Sequence, residues 1–202
     1  MGFEVSPKIS NTLSRYSFQG DFRKYLRLGS TTTLLAVRGK GFYSAGNNPA
    51  IFYFGGNQEL RGYRYLGFVG TRGFFANVEL RLPLINLAAT PIGILGPVRG
   101  TAYFGVGSAT FGGQTYQFAT SEPGRSYVKC VNPGDLVNPG DRACTFGDPV
   151  SGFHLVDGRA SFGFGLQVFF LGYPLHFDWT KFTDLKVVSG GWKFSFWIGY
   201  DF

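Results

Sequence analysis

The sequence predicts an all-β fold, and two observations support this prediction. Along the last segment every even position carries a large apolar side chain, up to the final residue: Trp192, Phe194, Phe196, Ile198, Tyr200 and Phe202. The chain is also 18% aromatic, with 31 glycines in 202 residues, and no stretch approaches the roughly 20 apolar residues of a membrane helix. Because alternation with a period of two is typical of strands, the aromatic side chains share one face.

The environment of that face decides the kind of sheet. A soluble sandwich buries such a face under a second sheet, whereas a membrane barrel turns it to lipid. Composition alone is compatible with both. The carboxylate beside Phe202 favours the membrane, because a free carboxylate is costly in a dry core but acceptable at an interface, where aromatic girdles lie. We therefore predict an antiparallel transmembrane β-barrel.

Two strands are predicted before the first long connection, at 15–27 and 31–42. The first places apolar side chains on one face and polar ones on the other, and the second does so less cleanly. A cation that faces lipid at mid-membrane costs about 2–4 kcal/mol, whereas one that faces a water-filled lumen costs little. The apolar sets are Tyr16, Phe18, Phe22 and Leu26, then Leu35 and Val37; the opposing cations include Arg15, Arg23, Arg27, Arg38 and Lys40.

Four more strands are predicted before the last one, at 74–82, 98–106, 159–170 and 173–182. Each again separates apolar from polar positions. Repetition of this pattern in every strand supports lipid on one face and water on the other. The charged residues on the polar faces include Glu79, Arg81, Arg99, Arg159 and Asp178; the apolar faces carry residues such as Phe74, Val78, Phe104, Phe164, Leu166, Phe177 and Trp179.

The connections alternate in length. Those near 28–30 and 171–172 are short, and those at 45–72, 108–157 and 183–190 are longer. Bacterial outer-membrane barrels have short periplasmic turns and long external loops. We therefore expect the long connections outside the cell and Phe202 at the periplasmic interface of the outer membrane.

Cys130 and Cys144 lie in the same long connection, which is rich in Gly, Pro and Asp. In an exported loop this spacing favours a disulfide, and closing the ring would contribute roughly 3 kcal/mol. A two-thiol metal site is the alternative, but no histidine lies near enough in sequence to complete it, and His154 and His176 are on different segments from each other. No cofactor is predicted. A nucleic-acid partner is not predicted either, because the cations behind the +7 formal charge are dispersed.

The segment 52–85 carries a motif that narrows the family. Gly55 and Gly56 precede the run Leu60, Arg61, Gly62 and Tyr63, and Glu79 follows in an apolar-Glu-apolar setting before Pro83. In order and spacing it resembles the BamA/TamA-like outer-membrane assembly and translocation superfamily, together with the two-partner-secretion barrels. The hairpin at 173–175 and the closing strand FSFWIGYDF are similar to those of the same family, so the resemblance extends over residues 1–202.

The resemblance implies that 45–72 is the sixth external loop, folded back into the barrel lumen. Arginine offers a planar fork of donors that a carboxylate accepts at two points, so Arg61 is expected to pair with Glu79. Family members commonly offer a second acid on the following strand, where this chain has Gly105. Two arrangements therefore stay open: Glu79 alone holds Arg61, or Asp178 on a later strand supplies the second carboxylate. The alternative is an ordinary exposed loop with a solvated Arg61.

The strand count points to part of a barrel. Family barrels have sixteen strands, and this sequence predicts about seven to eight, corresponding to the C-terminal part. The opening MGFEVSPKIS resembles no secretory signal, so we expect further sequence upstream. A fragment of a longer protein with periplasmic domains is favoured over a barrel completed by a second chain or a small barrel completed by residues 1–12.

Three functions remain open from the sequence. The first is non-enzymatic insertion or secretion of client polypeptides at an opened strand seam in the outer membrane. The second is a passive, anion-preferring pore, and the third is a membrane anchor for an upstream domain. An enzyme is not predicted, because neither histidine lies in a recognisable catalytic motif. The C-terminal strand, ending at Phe202, is expected to carry the signal that outer-membrane assembly machinery recognises.

The disulfide gives the first testable prediction. Labelling of the folded, unreduced protein with a thiol reagent should be close to zero, whereas reduction should expose both Cys130 and Cys144. Stoichiometric labelling of both residues before reduction would contradict the pairing.

Overall fold

A computed structural model describes residues 1–6, 14–29, 33–86, 88–90, 93–95, 97–130, 132–137, 149–170 and 172–200. The fold is all-β, as predicted. Its strands are β1 (Gly2–Ser6), β2 (Arg15–Arg27), β3 (Leu34–Gly46), β4 (Phe52–Phe54), β5 (Phe68–Gly70), β6 (Arg72–Ile85), β7 (Ala88–Thr90), β8 (Gly93–Leu95), β9 (Val98–Thr110), β10 (Ala119–Thr120), β11 (Gly124–Arg125), β12 (Pro149–Val150), β13 (His154–Leu155), β14 (Arg159–Phe170), β15 (Tyr173–Thr183) and β16 (Lys193–Ile198). Within these ranges no helix is long and apolar enough to cross a bilayer.

Eight strands form one antiparallel sheet in the order β1-β2-β3-β6-β9-β14-β15-β16. Each long strand pairs with the next long strand in the sequence, which is the topology of a meander. The eight short strands pair two by two within the connections. The predicted alternation of long and short connections is present, because the links after β3, β9 and β15 are longer than those after β2 and β14.

Closure of the sheet into a barrel is not found. Among the described residues no backbone pairing joins β1 to β16, so the eight-stranded sheet has two unpaired edges. Within the described residues 1–6, β1 pairs with β2 from Gly2–Gln19 to Ser6–Arg15. Residues 7–13 lie outside the described residues, so whether the N-terminal residues supply a full-length eighth strand stays a prediction.

The two faces of the sheet differ sharply. We call the face that carries Phe194 and Phe196 the outer face and the opposite one the inner face. Large apolar side chains on the outer face are exposed over every strand of the sheet: Val5, Tyr16, Phe18, Phe22, Tyr43, Phe74, Val78, Leu82, Leu84, Phe104, Phe164, Leu166, Phe170, Tyr173, Phe194, Phe196 and Ile198. The inner face holds buried polar side chains, among them Arg38, Asn77, Glu79, Gln167 and Asp178.

The buried apolar core lies between the inner face and the long connections, at the end of the sheet from which those connections leave. Phe54 and Phe68, on the paired strands β4 and β5, stack with ring centres 4.6 Å apart and fill its centre. Phe42, Phe75 and Phe182 pack around them from the sheet. The sheet therefore buries apolar side chains against its own loops and leaves its outer face uncovered.

Three strands extend farther at this end than the alternation predicts. β3 continues to Gly46, β6 begins at Arg72 and β9 continues to Thr110. Ser108, Ala109 and Thr110 are all buried, because loop segments cover both faces there. An alternation of polar and apolar residues marks a strand only where the two faces meet different surroundings, so the pattern stops before the strands do.

Gly163 on β14 permits a close contact between strands. A Cβ atom there would lie 2.7 Å from the hydroxyl oxygen of Tyr103 and closer still to the carbonyl of Trp179. The Tyr103 hydroxyl instead reaches across β14 to Thr180, with 2.7 Å between the two oxygens. The glycine thus makes room for a tyrosine that links β9 to β15.

Substituting this glycine gives a prediction about stability. Gly163→Ala should destabilise the fold by about 1–3 kcal/mol, because the added methyl group displaces Tyr103 or the strand beside it. Gly39→Ala is the control, since a Cβ at Gly39 would meet nothing within 4 Å. Urea denaturation in detergent micelles measures both variants, and equal stability of the two would contradict the packing argument.

Candidate functional site

The tip of the connection between β4 and β5 crosses the inner face, and glycines shape it. Gly55, Gly56 and Gly62 have φ values of 125°, 90° and 86°, which favour glycine over other residues. The turn is closed by a hydrogen bond of 2.9 Å from the Leu60 amide to the Gly56 carbonyl. A Cβ on Gly62 would approach Cγ2 of Thr180 to 2.6 Å, so this glycine also permits close contact with β15.

Arg61 extends from this tip to both predicted acids. Its Nη2 lies 2.7 Å from Oε1 of Glu79 on β6, and its Nη1 lies 3.1 Å from Oδ1 of Asp178 on β15. The exposed fractions of the three residues are 5%, 2% and 1%, so the group is buried. The predicted contact is present, and the interpretation of Arg61 as a solvated side chain is wrong.

A second arginine completes the charge balance. Arg81 donates to Oε2 of Glu79 from Nη2 at 2.8 Å and from Nε at 3.1 Å. Arg61 and Arg81 supply two positive charges, and Glu79 and Asp178 supply two negative ones. Buried charges are stable only when they are paired and hydrogen-bonded, and here each charge has an opposite partner.

Aromatic side chains enclose the guanidinium of Arg61. Its carbon lies 4.5 Å from the ring centre of Tyr103 and 5.8 Å from that of Trp197, distances at which a cation is attracted to a ring face. Trp197 also donates from Nε1 to Oδ2 of Asp178 at 2.7 Å, and it stacks on His176 with ring centres 3.7 Å apart. Trp197 therefore holds the second acid in position.

The loop tip fills the space above Gly105. The resembled family commonly has an acid at this position. A Cβ at this position would lie 2.6 Å from Oδ1 of Asn77 and 2.9 Å from Cδ1 of Leu60. Leu60 is fully buried against this strand. In this chain Asp178 supplies the second carboxylate from β15, and the space over β9 is filled by the leucine side chain.

Side chains of the sheet also bind the backbone of the tip. The donors come from strands β3, β6, β14 and β16, so the carbonyls of the tip are held from both halves of the sheet. The bonds run from Arg38 to the Gln58 carbonyl (3.3 Å), from Asn77 to that of Glu59, from Ser161 to that of Arg61 (2.7 Å) and from Lys193 to that of Gly62 (2.8 Å).

Tyr63, the last residue of the motif, is also buried. Its hydroxyl donates to the carbonyl of Ala160 at 3.0 Å, and its ring packs edge-on against Phe68 and Phe182. Burial raises the pKa of Tyr63 well above its usual range. The tyrosine thus stays neutral and fixes the end of the tip to β14.

The remaining predicted residues have mixed outcomes. Of the even positions in the C-terminal segment, Phe194, Phe196 and Ile198 are exposed on the outer face, and Trp192 and Tyr200 are exposed beside β16; Lys193 and Trp197 make inner-face contacts. Phe202 and Asp201 lie outside the described residues. Cys144 also lies outside them, so its pairing with Cys130 stays a prediction.

The sequence reasoning missed several contacts of the site. The sequence predicted no role in this site for Trp197, His176, Tyr103 or Lys193. One signal was present in the sequence: Trp197 is a tryptophan among the polar positions of the last strand. In the strand register, Ser195, the inner-face position before it, pairs with Asp178. The bonds to backbone carbonyls have no equivalent signal in the sequence.

The contacts of the site bind a loop to the inner face of the sheet. Among the described residues no cluster of three or more His, Cys, Asp or Glu side chains could hold a metal ion. No protein-family model matches the chain, and no curated protein is detectably similar to it. The family resemblance of the loop motif therefore stays a proposal.

The ion pairs of Arg61 give a prediction about the loop. Arg61→Ala should weaken the docked tip by about 3–5 kcal/mol, because two carboxylates lose a buried partner. Proteinase K should then cut within 55–67 at least tenfold faster. Arg64→Ala is the matched control, since Arg64 is an exposed arginine of the same loop. Equal cleavage of the two variants would contradict the role assigned to the ion pairs.

Gly105 gives a second prediction about the site. Gly105→Asp should raise the cleavage rate of the loop, because the new side chain displaces Leu60 before it can reach Arg61. Gly105→Ala separates the effect of space from that of charge and should show the same direction. An aspartate variant whose loop resists protease better than the wild type would contradict this account.

Proposed function

We propose that this chain forms part of the wall of an outer-membrane β-barrel, with the loop that contains Arg61 folded into the lumen. The observation that carries the proposal is the exposed apolar outer face. Monomeric soluble proteins rarely expose contiguous apolar patches above a few hundred Å², whereas this face runs across all eight strands of the sheet.

The height of this face suits a bilayer. On β6 the outer-face positions from Phe74 to Leu84 are apolar over ten residue steps. At about 3.3 Å per residue and a strand tilt of about 40°, this length projects to roughly 25 Å, the height of the apolar band on membrane barrels.

The position of charges on the outer face supports the same proposal. Among the described residues of the sheet, the charged side chains on this face are Lys24, Arg72 and Lys181, and each lies within three residues of a strand end. Arginine or lysine on the lipid face costs about 2–4 kcal/mol at the midplane and close to zero near the interfaces. The charges are thus placed where a membrane tolerates them.

The unpaired edges require additional strands. Backbone groups left without partners in hydrocarbon cost several kcal/mol each, so β1 and β16 must pair with further strands in the membrane. A preceding segment of a longer protein or a second chain would supply them. The resemblance implies sixteen strands in total, of which this sheet would be the C-terminal part, with periplasmic domains upstream.

The proposed activity is the non-enzymatic insertion or secretion of client polypeptides. It rests on the resemblance of the motif at 55–63 and of Glu79 to the assembly and translocation superfamily. β16 would then be one side of a seam at which a client strand is added by backbone hydrogen bonding, as in β-augmentation. The partners are outer-membrane lipid and client polypeptides.

An anion-preferring pore receives less support. Arg15 pairs with Glu4, Arg23 and Arg38 share Asp21, and Arg61 and Arg81 share Glu79. Much of the positive charge that would select anions is therefore neutralised, and the loop occupies space on the inner face. In the part of the chain that the structure describes, no contact favours a membrane anchor for an upstream domain over the proposed activity.

Spin labels test the membrane placement. In liposomes, nitroxides at positions 194, 196 and 198 should be accessible to oxygen, which partitions into lipid, and those at 193 and 195 should be less so. The difference follows from the outer-face exposure of the even positions. Equal accessibility of the two sets would overturn the barrel proposal.

A client experiment tests the activity separately. Photocrosslinkers placed along β16 should capture a nascent outer-membrane barrel protein during its insertion into the same liposomes. Crosslinkers at the outer-face positions of β9, in the middle of the sheet, are the control. Capture at β9 equal to that at β16, or at neither strand, would contradict an assembly seam.

A further inference from the structure

Arg72 differs from the other arginines of the sheet. It is the first residue of β6, and it lies on the outer face, beside Tyr43 of β3 and Thr110 of β9 in the strand register. Its Nε is buried and has no hydrogen-bond partner among the described residues. Native structures leave few buried donors unsatisfied, so Arg72 differs in this respect from the paired arginines of the inner face.

A cavity of about 430 Å³ opens beside this guanidinium. Phe74 lines the side toward the apolar band, and Thr110, Gln114 and Tyr116 line the side toward the loops. Among the described residues no carboxylate lines the cavity, so none of them balances the positive charge of Arg72 there. The cavity is polar and cationic at one end and apolar at the other.

Gln114 and Phe118, beside the cavity, determine which chemical groups of a ligand it can bind. The Oε1 atom of Gln114 already accepts hydrogen bonds from the Phe111 amide at 3.2 Å and from the Thr110 hydroxyl at 3.4 Å, which leaves its NH₂ group to donate. Phe118 folds from the loop onto Phe74, with ring centres 5.3 Å apart. Two donor groups thus lie above an aromatic surface that leads down the outer face.

We propose that this cavity binds the phosphate of an anionic membrane lipid through Arg72, with an acyl chain lying along Phe74. The inference rests on the membrane placement proposed above. Arginine matches phosphate through two parallel N–H···O bonds. Arg72 also lies one outer-face position above the start of the apolar band, which is the level at which a headgroup meets the acyl region.

Native mass spectrometry tests the site. The folded chain in micelles of an uncharged detergent, titrated with dioleoylphosphatidylglycerol, should retain one lipid, and Arg72→Gln should lower its occupancy about tenfold. Lys24→Gln is the matched control, because Lys24 is an outer-face cation near the opposite end of the strands; it should change occupancy less than twofold. Circular dichroism verifies that both variants fold.

Other probes separate the phosphate from the acyl chains. Dioleoylglycerol, which has the same chains and no phosphate, should show no dependence on Arg72, and millimolar inorganic phosphate should not displace the retained lipid. Equal loss of lipid in the two variants, unchanged occupancy in Arg72→Gln, displacement by inorganic phosphate, or Arg72-dependent retention of dioleoylglycerol would each overturn the site. Failure of the spin-label experiment would instead refute the membrane placement itself.

Discussion

The docking of one loop tip around Arg61 determines how the inner face of this sheet is organised. A guanidinium that is 5% exposed would be highly unfavourable alone, and it is stable here because Glu79 and Asp178 approach it from strands on opposite sides of β9 and β14. Arg81 balances the remaining charge, and Trp197 fixes the second acid. The same contacts bring β6, β15 and β16 toward a common point. The curvature of the sheet and the position of the loop therefore depend on one another.

The middle of each strand could be predicted from the sequence, and its ends could not. The alternation predicted β14 from Arg159 to Phe170 with its observed bounds. Along that strand, apolar side chains stay exposed on one face and polar side chains stay buried on the other. The alternation did not predict the part of β9 after Val106, because loops cover both faces of the sheet there. The pairing of Arg61 with Glu79 was predictable from the resemblance of the loop motif together with the position of Glu79 on the polar face of its strand.

What the sequence could not supply were the contacts that depend on three-dimensional proximity alone. The filling of the space above Gly105 by Leu60 and the carbonyls bound by Ser161 and Lys193 follow from how far the tip reaches across the sheet. None of these contacts joins residues close in sequence. These contacts depend on the register of every strand between the residues that they join.

The hydrogen bond from Gln58 to the carbonyl of Tyr200 spans 142 residues and has a consequence for the order of folding. Hairpins between consecutive strands close short segments and form early, whereas contacts at long sequence separation carry the larger entropic cost and form late. Tyr200 follows Gln58 by 142 residues, so the tip of the loop is synthesised well before this partner. Until the segment around Tyr200 is in place the loop lacks part of its binding surface, and its complete docking therefore indicates that β16 has joined the sheet.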